Sequence, residues 1–78
     1  MHPFYREVRS MDVEERLKKL VEDTGEINLV LGGYEIKVLK PILFPWYKAI
    51  KLLIEIGHEI WVNEKEGEIH INSEPRAQ

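Results

Sequence analysis

"EINLVLGGYEIKVLK", residues 26–40, alternates apolar and polar positions on both sides of a double glycine, which is the pattern of two strands joined by a tight turn. Gly32 and Gly33 read as a two-residue loop able to take the positive φ that such turns demand. That loop pairs Leu31 with Tyr34, Leu29 with Ile36 and Ile27 with Val38. One face of the hairpin is then apolar, and the other carries Asn28, Val30, Glu35 and Lys37.

Upstream, "MDVEERLKKLVEDTG" changes the period from two to that of a helix. Val13, Leu17, Leu20 and Val21 share one side. Ser10 suits the N-cap, acids fill the first turn, and Gly25 stands just past the end. Downstream the plan recurs. "PWYKAIKLLIEIG" opens with a proline fit for a first helical turn and closes on Gly57. "HEIWVNEKEGEIHIN" then alternates again, with Ile60 and Val62 set against Ile71 and Ile69 across a turn from Glu64 to Gly67. Displaced by 33 positions, Leu17–Leu39 aligns with Ile50–Asn72 without a gap, with seven identities in 23 pairs.

The expected fold is α+β: a two-layer αββαββ sandwich with two helices on one face of a mainly antiparallel, four-stranded sheet. The 78 residues suffice for one small domain, divided into an arm or edge strand at 1–9, a first αββ unit at 10–40, a second at 41–73 and a tail at 74–78. The alternative takes "FYREV" as a strand, giving a ferredoxin-like βαββαβ order with an extra C-terminal strand.

Composition removes several functions. Without cysteine there is no disulfide framework, thiolate metal site or Cys nucleophile. No apolar run approaches a membrane span and no signal-peptide pattern opens the chain, so a cytoplasmic protein is expected. Twelve Glu and nine Ile against a single Gln suggest heat stability. With two Asp, one Thr, and serines only at 10 and 73, no catalytic constellation or phosphate loop stands out. A non-enzymatic protein with no cofactor and no metal is the expectation; His70 and Glu68, two residues apart, lack the third ligand that a metal needs.

Three surfaces invite binding. Residues 36–54 carry four lysines and no acid inside a chain of net charge -3. Lys37, Lys40, Lys48 and Lys51, interleaved with Phe44, Trp46 and Tyr47, have the cation-and-ring chemistry of a nucleic-acid site. That is the alternative function. The polar face of the second hairpin presents Trp61 opposite His70, with Asn63 and Glu68 beside them, as a surface for a protein partner. Third, the second helix has an apolar arc of roughly 200°, twice that of the first. Its surplus flank, Ala49, Leu52 and Ile56, together with Ile42, Leu43 and Phe44, needs a cover. The first helix, the "HPFY" segment and a second molecule are the three candidates, and a homodimer through these six residues is the expected assembly. A self-associating interaction or regulatory module is thus the leading functional reading.

Overall fold

The computed structural model describes residues 13–76. Readings that fall on 1–12, including the Ser10 cap, the N-terminal arm and the "FYREV" strand, lie outside the described residues. Residues 13–21 are helical (α1) and run through a 3-10 turn, Glu22–Thr24, into strand β1, Gly25–Val30. Strand β2 is Gly33–Val38, helix α2 is Trp46–Glu55, and strands β3 and β4 are His58–Lys65 and Glu68–Pro75. The four strands form one antiparallel sheet in the order β1-β2-β4-β3. This is the expected α+β architecture. β4 runs two residues into the segment read as a tail.

Alternation sorts the side chains as the sequence indicated. Ile36, Val38 and Ile71 point inward from the sheet and join Leu17 and Val21 of α1, Ala49, Leu52 and Leu53 of α2, and Phe44 in one buried core. A fully buried Leu or Ile stabilises a fold by roughly 1.5–3 kcal/mol, so these few side chains supply much of what a domain this small possesses. Among the described residues no helix lies over the opposite sheet face, which carries Glu26, Asn28, Glu35, Lys37, Asn63, Glu68, His70 and Asn72.

Both hairpins close in a register two residues away from the one expected. The first turns at Leu31–Gly32, so Val30 pairs with Gly33, Leu29 with Tyr34 and Ile27 with Ile36. Only Gly32 of that turn has a positive φ, 82°. Gly33 belongs to the strand because β4 requires it there: a Cβ on Gly33 would lie 1.8 Å from the Ser73 carbonyl oxygen. The second hairpin turns at Glu66–Gly67, both with positive φ, and pairs Val62 with Ile71 and Ile60 with Ser73. The Glu64 carboxylate accepts a hydrogen bond from the Gly67 N–H at 2.7 Å and holds this turn. Shifts by two leave every residue on its expected face.

The 33-residue displacement is not what the fold repeats. The two turns, at 31–32 and 66–67, stand 35 positions apart, and so do the facing central residues Ile36 and Ile71. By burial, Leu17, Leu20 and Val21 answer instead to Ala49, Leu52 and Leu53, 32 positions on. The second hairpin is longer at its open end, where His58 pairs with Pro75 and Glu59 with Glu74.

The joint between the units is tied by backbone. The Thr24 carbonyl accepts from the N–H groups of Leu39 and Lys40, and the Lys40 carbonyl from those of Leu43 and Phe44. The Trp46 indole N–H donates to the Pro41 carbonyl at 2.9 Å, and its ring meets Phe44 edge-on at 4.9 Å between centroids. Gly57 ends α2 with φ 86° and donates its N–H to the Ile54 carbonyl.

The approach of β2 to β4 is testable at one atom. Gly33→Ala should lower the unfolding free energy by more than about 2 kcal/mol, since the added methyl collides with backbone rather than with a flexible side chain. Urea denaturation measures this, and a loss below about 0.5 kcal/mol would contradict the contact.

Candidate functional site

The six residues expected to form a dimer interface divide between interior and surface. Phe44, Ala49 and Leu52 are inside the chain's own core, with Phe44 and Leu52 each 4% exposed, and Ile56 is half-buried. The cover is the first helix: Arg16 and Leu20 of α1 line a shallow groove with Lys48, Lys51, Leu52 and Glu55 of α2. Phe44, Ala49 and Leu52 are therefore packed within the chain rather than open to a second molecule. Ile42 and Leu43, in the turn before α2, remain exposed.

With α1 on one flank of α2, the apolar surplus emerges on the other. Tyr47 is 74% exposed and Ile54 58%. With Trp46 and Ile50 they line an apolar groove edged by Lys51 and Glu55, and the Lys51 ammonium sits 5.8 Å from the centre of the Tyr47 ring. A second groove continues from Ile50 and Ile54 across His58, Glu59 and Ile60 to Arg76. The apolar helix face thus runs onto β3, whose outer edge has no strand beside it among the described residues and whose inward-pointing Val62 is 54% exposed. The sequence showed the width of the apolar arc without showing which of its sides the chain would cover.

On the helix-free face, Trp61 stands across from Asn72, and His70 across from Asn63 and, on its other side, Lys37. Trp61 and His70 are not directly opposed, because the second hairpin closes two residues from the expected register. Trp61 is 45% exposed. His70 lies between two carboxylates, its Nδ1 3.5 Å from Glu35 and its Nε2 3.5 Å from Glu68, and Lys37 is 3.3 Å from Glu68. Asn63, His70 and Asn72 line a shallow polar depression with Glu35, Glu64 and Lys65. The two carboxylates approach opposite edges of the imidazole. Among the described residues no group of three or more His, Cys, Asp or Glu side chains converges on a metal position.

The four lysines do not make one patch. Lys37 points from the helix-free face toward Glu68, whereas Lys48 and Lys51 sit on α2. Lys40 pairs with Asp23 at 2.7 Å, and this hydrogen bond, with the lysine's charge, holds the Asp23 carboxyl below its usual range. Phe44 is buried and the Trp46 indole N–H is engaged, which leaves Tyr47 as the open ring of the three.

A buried polar pair lies near the open end of the second hairpin. His58 is 8% exposed and Ser73 2%, and the imidazole Nδ1 shares a 3.0 Å hydrogen bond with the serine hydroxyl. The Tyr34 ring stacks on the imidazole with centroids 5.8 Å apart. Burial pushes the His58 pKa down, so the neutral ring is favoured. Burial also raises the Tyr34 phenol, with Glu14 adding to the shift. The alternation that places His58 and Ser73 on the inward face was the signal for this pair.

Comparison with protein-family models, with curated proteins and with solved structures finds no match to this chain. Function rests on geometry. No helix of the described residues is long and apolar enough to cross a membrane.

The His58 shift has a definite sign. Its folded pKa lies below the unfolded value of about 6.5, so the unfolded chain takes up the proton first. The stability that His58 contributes is present above pH ~6.5 and is lost as pH falls toward the depressed folded value. One proton gives a slope of at most about 1.4 kcal/mol per pH unit. Denaturation curves between pH 8 and 5 should show this loss, and His58→Gln should flatten it. An unchanged slope in that variant would assign the dependence elsewhere.

Proposed function

We propose that this protein works by binding rather than by catalysis, as a small self-associating interaction module of the cytoplasm that needs no metal or cofactor. The observation that carries the reading is the apolar face formed by Tyr47, Ile50 and Ile54 on the side of α2 away from α1, continuous with the open edge of β3. Exposed apolar side chains joined into one surface on a small domain mark a contact site, because leaving them in water forgoes roughly 25 cal/mol per Å². A 78-residue domain gains in proportion from covering them. The Trp61 face of the sheet, with Asn63, Glu68 and His70 around it, is a second contact surface in this reading, suited to a polar protein partner.

The catalytic alternative has little to work with. Among the described residues the one Ser–His pair is buried, with no third group hydrogen-bonded to it. The nucleic-acid alternative loses its basis where Lys37 and Lys40 are ion-paired on different parts of the surface.

Light scattering at tens of micromolar should give twice the monomer mass. Ile54→Glu or Tyr47→Glu should raise the dimer Kd at least about tenfold with the circular dichroism spectrum unchanged, because burying an unpaired charge in a contact is costly. Leu52→Glu, by contrast, should unfold the domain. A parent protein that stays monomeric at high concentration would remove the self-association reading.

A further inference from the structure

We infer that a second copy of this chain pairs antiparallel with the edge of β3 that no described strand covers, about a twofold axis through Val62, so that the two four-stranded sheets become one sheet of eight strands. The inference rests on the self-association proposed above and adds the edge, the residue on the axis and the contacts that set the register.

The charges of β3 carry the argument. Glu59 lies directly opposite Glu74 on β4, and two carboxylates facing each other across a ladder repel. Lys65, at the other end of β3, lies opposite Glu68, whose carboxylate is already engaged with Lys37 at 3.3 Å and with His70 at 3.5 Å. Among the described residues neither Glu59 nor Lys65 makes an ion pair, although Arg76 lines the same groove as Glu59. The strand therefore has an anion in excess near one end and a cation to spare near the other.

A twofold axis normal to the sheet must pass through one residue of each β3, since only then do inward side chains of one copy meet inward side chains of the other. With Val62 on the axis, Glu59 faces the partner's Lys65 twice over. The row across the joined sheet then reads Glu74, Glu59, the partner's Lys65, the partner's Glu68, with the cation between carboxylates. An axis at Trp61 sets Glu59 against the partner's Asn63, and axes at Ile60, Asn63 or Glu64 also leave Glu59 and Lys65 without each other. The chosen register overlaps residues 59–65, nearly the whole strand.

The inward face agrees with this choice. Val62, more than half exposed in the single chain, meets its own counterpart. Glu64, which faces the partner's Ile60, has its carboxylate drawn back into the Glu66–Gly67 turn. Because the axis is normal to the sheet, both helix layers stay on one side, and the Tyr47, Ile50 and Ile54 faces of the two α2 helices turn toward each other. The other edge, β1, offers no such match: its only charged residue is Glu26, so no self-pairing of that edge brings opposite charges together.

Charge exchange tests the register on the surface of the fold. Glu59→Lys alone, or Lys65→Glu alone, should raise the dimer Kd about tenfold or more. An equimolar mixture of the two variants should return it to within about threefold of the parent, because the mixed dimer restores both pairs. The chain has no cysteine, so Val62→Cys introduces a lone thiol on the axis. Oxidation or a short bis-maleimide should join it to its counterpart far faster than a Glu66→Cys collision control. A dimer indifferent to the charge exchange, or one that cross-links through Trp61→Cys and not through Val62→Cys, would overturn the register and leave the module reading standing. A parent protein that is monomeric throughout would overturn both.

Discussion

The pairing of β2 with β4 is the contact on which the rest of this structure depends. Each αββ unit is built from neighbours in sequence, and the β2–β4 ladder is where strands of the two units hydrogen-bond to one another. Ile36 faces Ile71 at its centre, both wholly buried, and the helices pack over that pair. Close approach at the Gly33 end, against the Ser73 backbone, draws the strands together where a side chain would hold them apart. Placing β2 and β4 in the middle sends β1 and β3 to the margins. The location of every exposed surface follows from that arrangement.

The elements were legible in the sequence because each is amphipathic at its own period, and amphipathicity is a local property. Leu17 and Val21 marked the buried side of α1, and Ile36, Val38 and Ile71 the buried side of the sheet. Register was harder, because turns answer to more than their own residues. Gly33 looks like half of a glycine turn, yet its glycine is demanded by a strand 40 positions away. Glu66 takes a positive φ that its residue type does not advertise, and a neighbouring carboxylate helps hold the turn. The 33-residue alignment reflects the same limit, since helices repeating at 32 and hairpins at 35 blur into one intermediate displacement.

The apolar surplus of α2 was legible by quantity and not by direction. The sequence showed that α2 has more apolar face than a one-sided helix uses, but the side that α1 covers is decided by where the sheet places α1. Leu52 and Ala49 went inward, and Tyr47 and Ile54 were left outside. The His58–Ser73 pair was obscured differently. Each residue, taken singly, has an ordinary role at a helix end or a chain end, and their meeting follows from the longer second hairpin, whose extra rungs carry His58 under the core face.

The strand order leaves this sheet with two unlike margins. One is a six-residue strand with a single acid; the other is an eight-residue strand bearing both signs of charge beside an apolar helix. A sheet with two equally receptive margins extends in both directions, and repeated addition leads to filaments. A sheet with one receptive margin adds a single neighbour, and that addition uses up the receptive margin of both molecules. In the proposed dimer, asymmetry between the outer strands would supply a stopping rule against growth into fibres for a small, edge-bearing protein rich in isoleucine and valine.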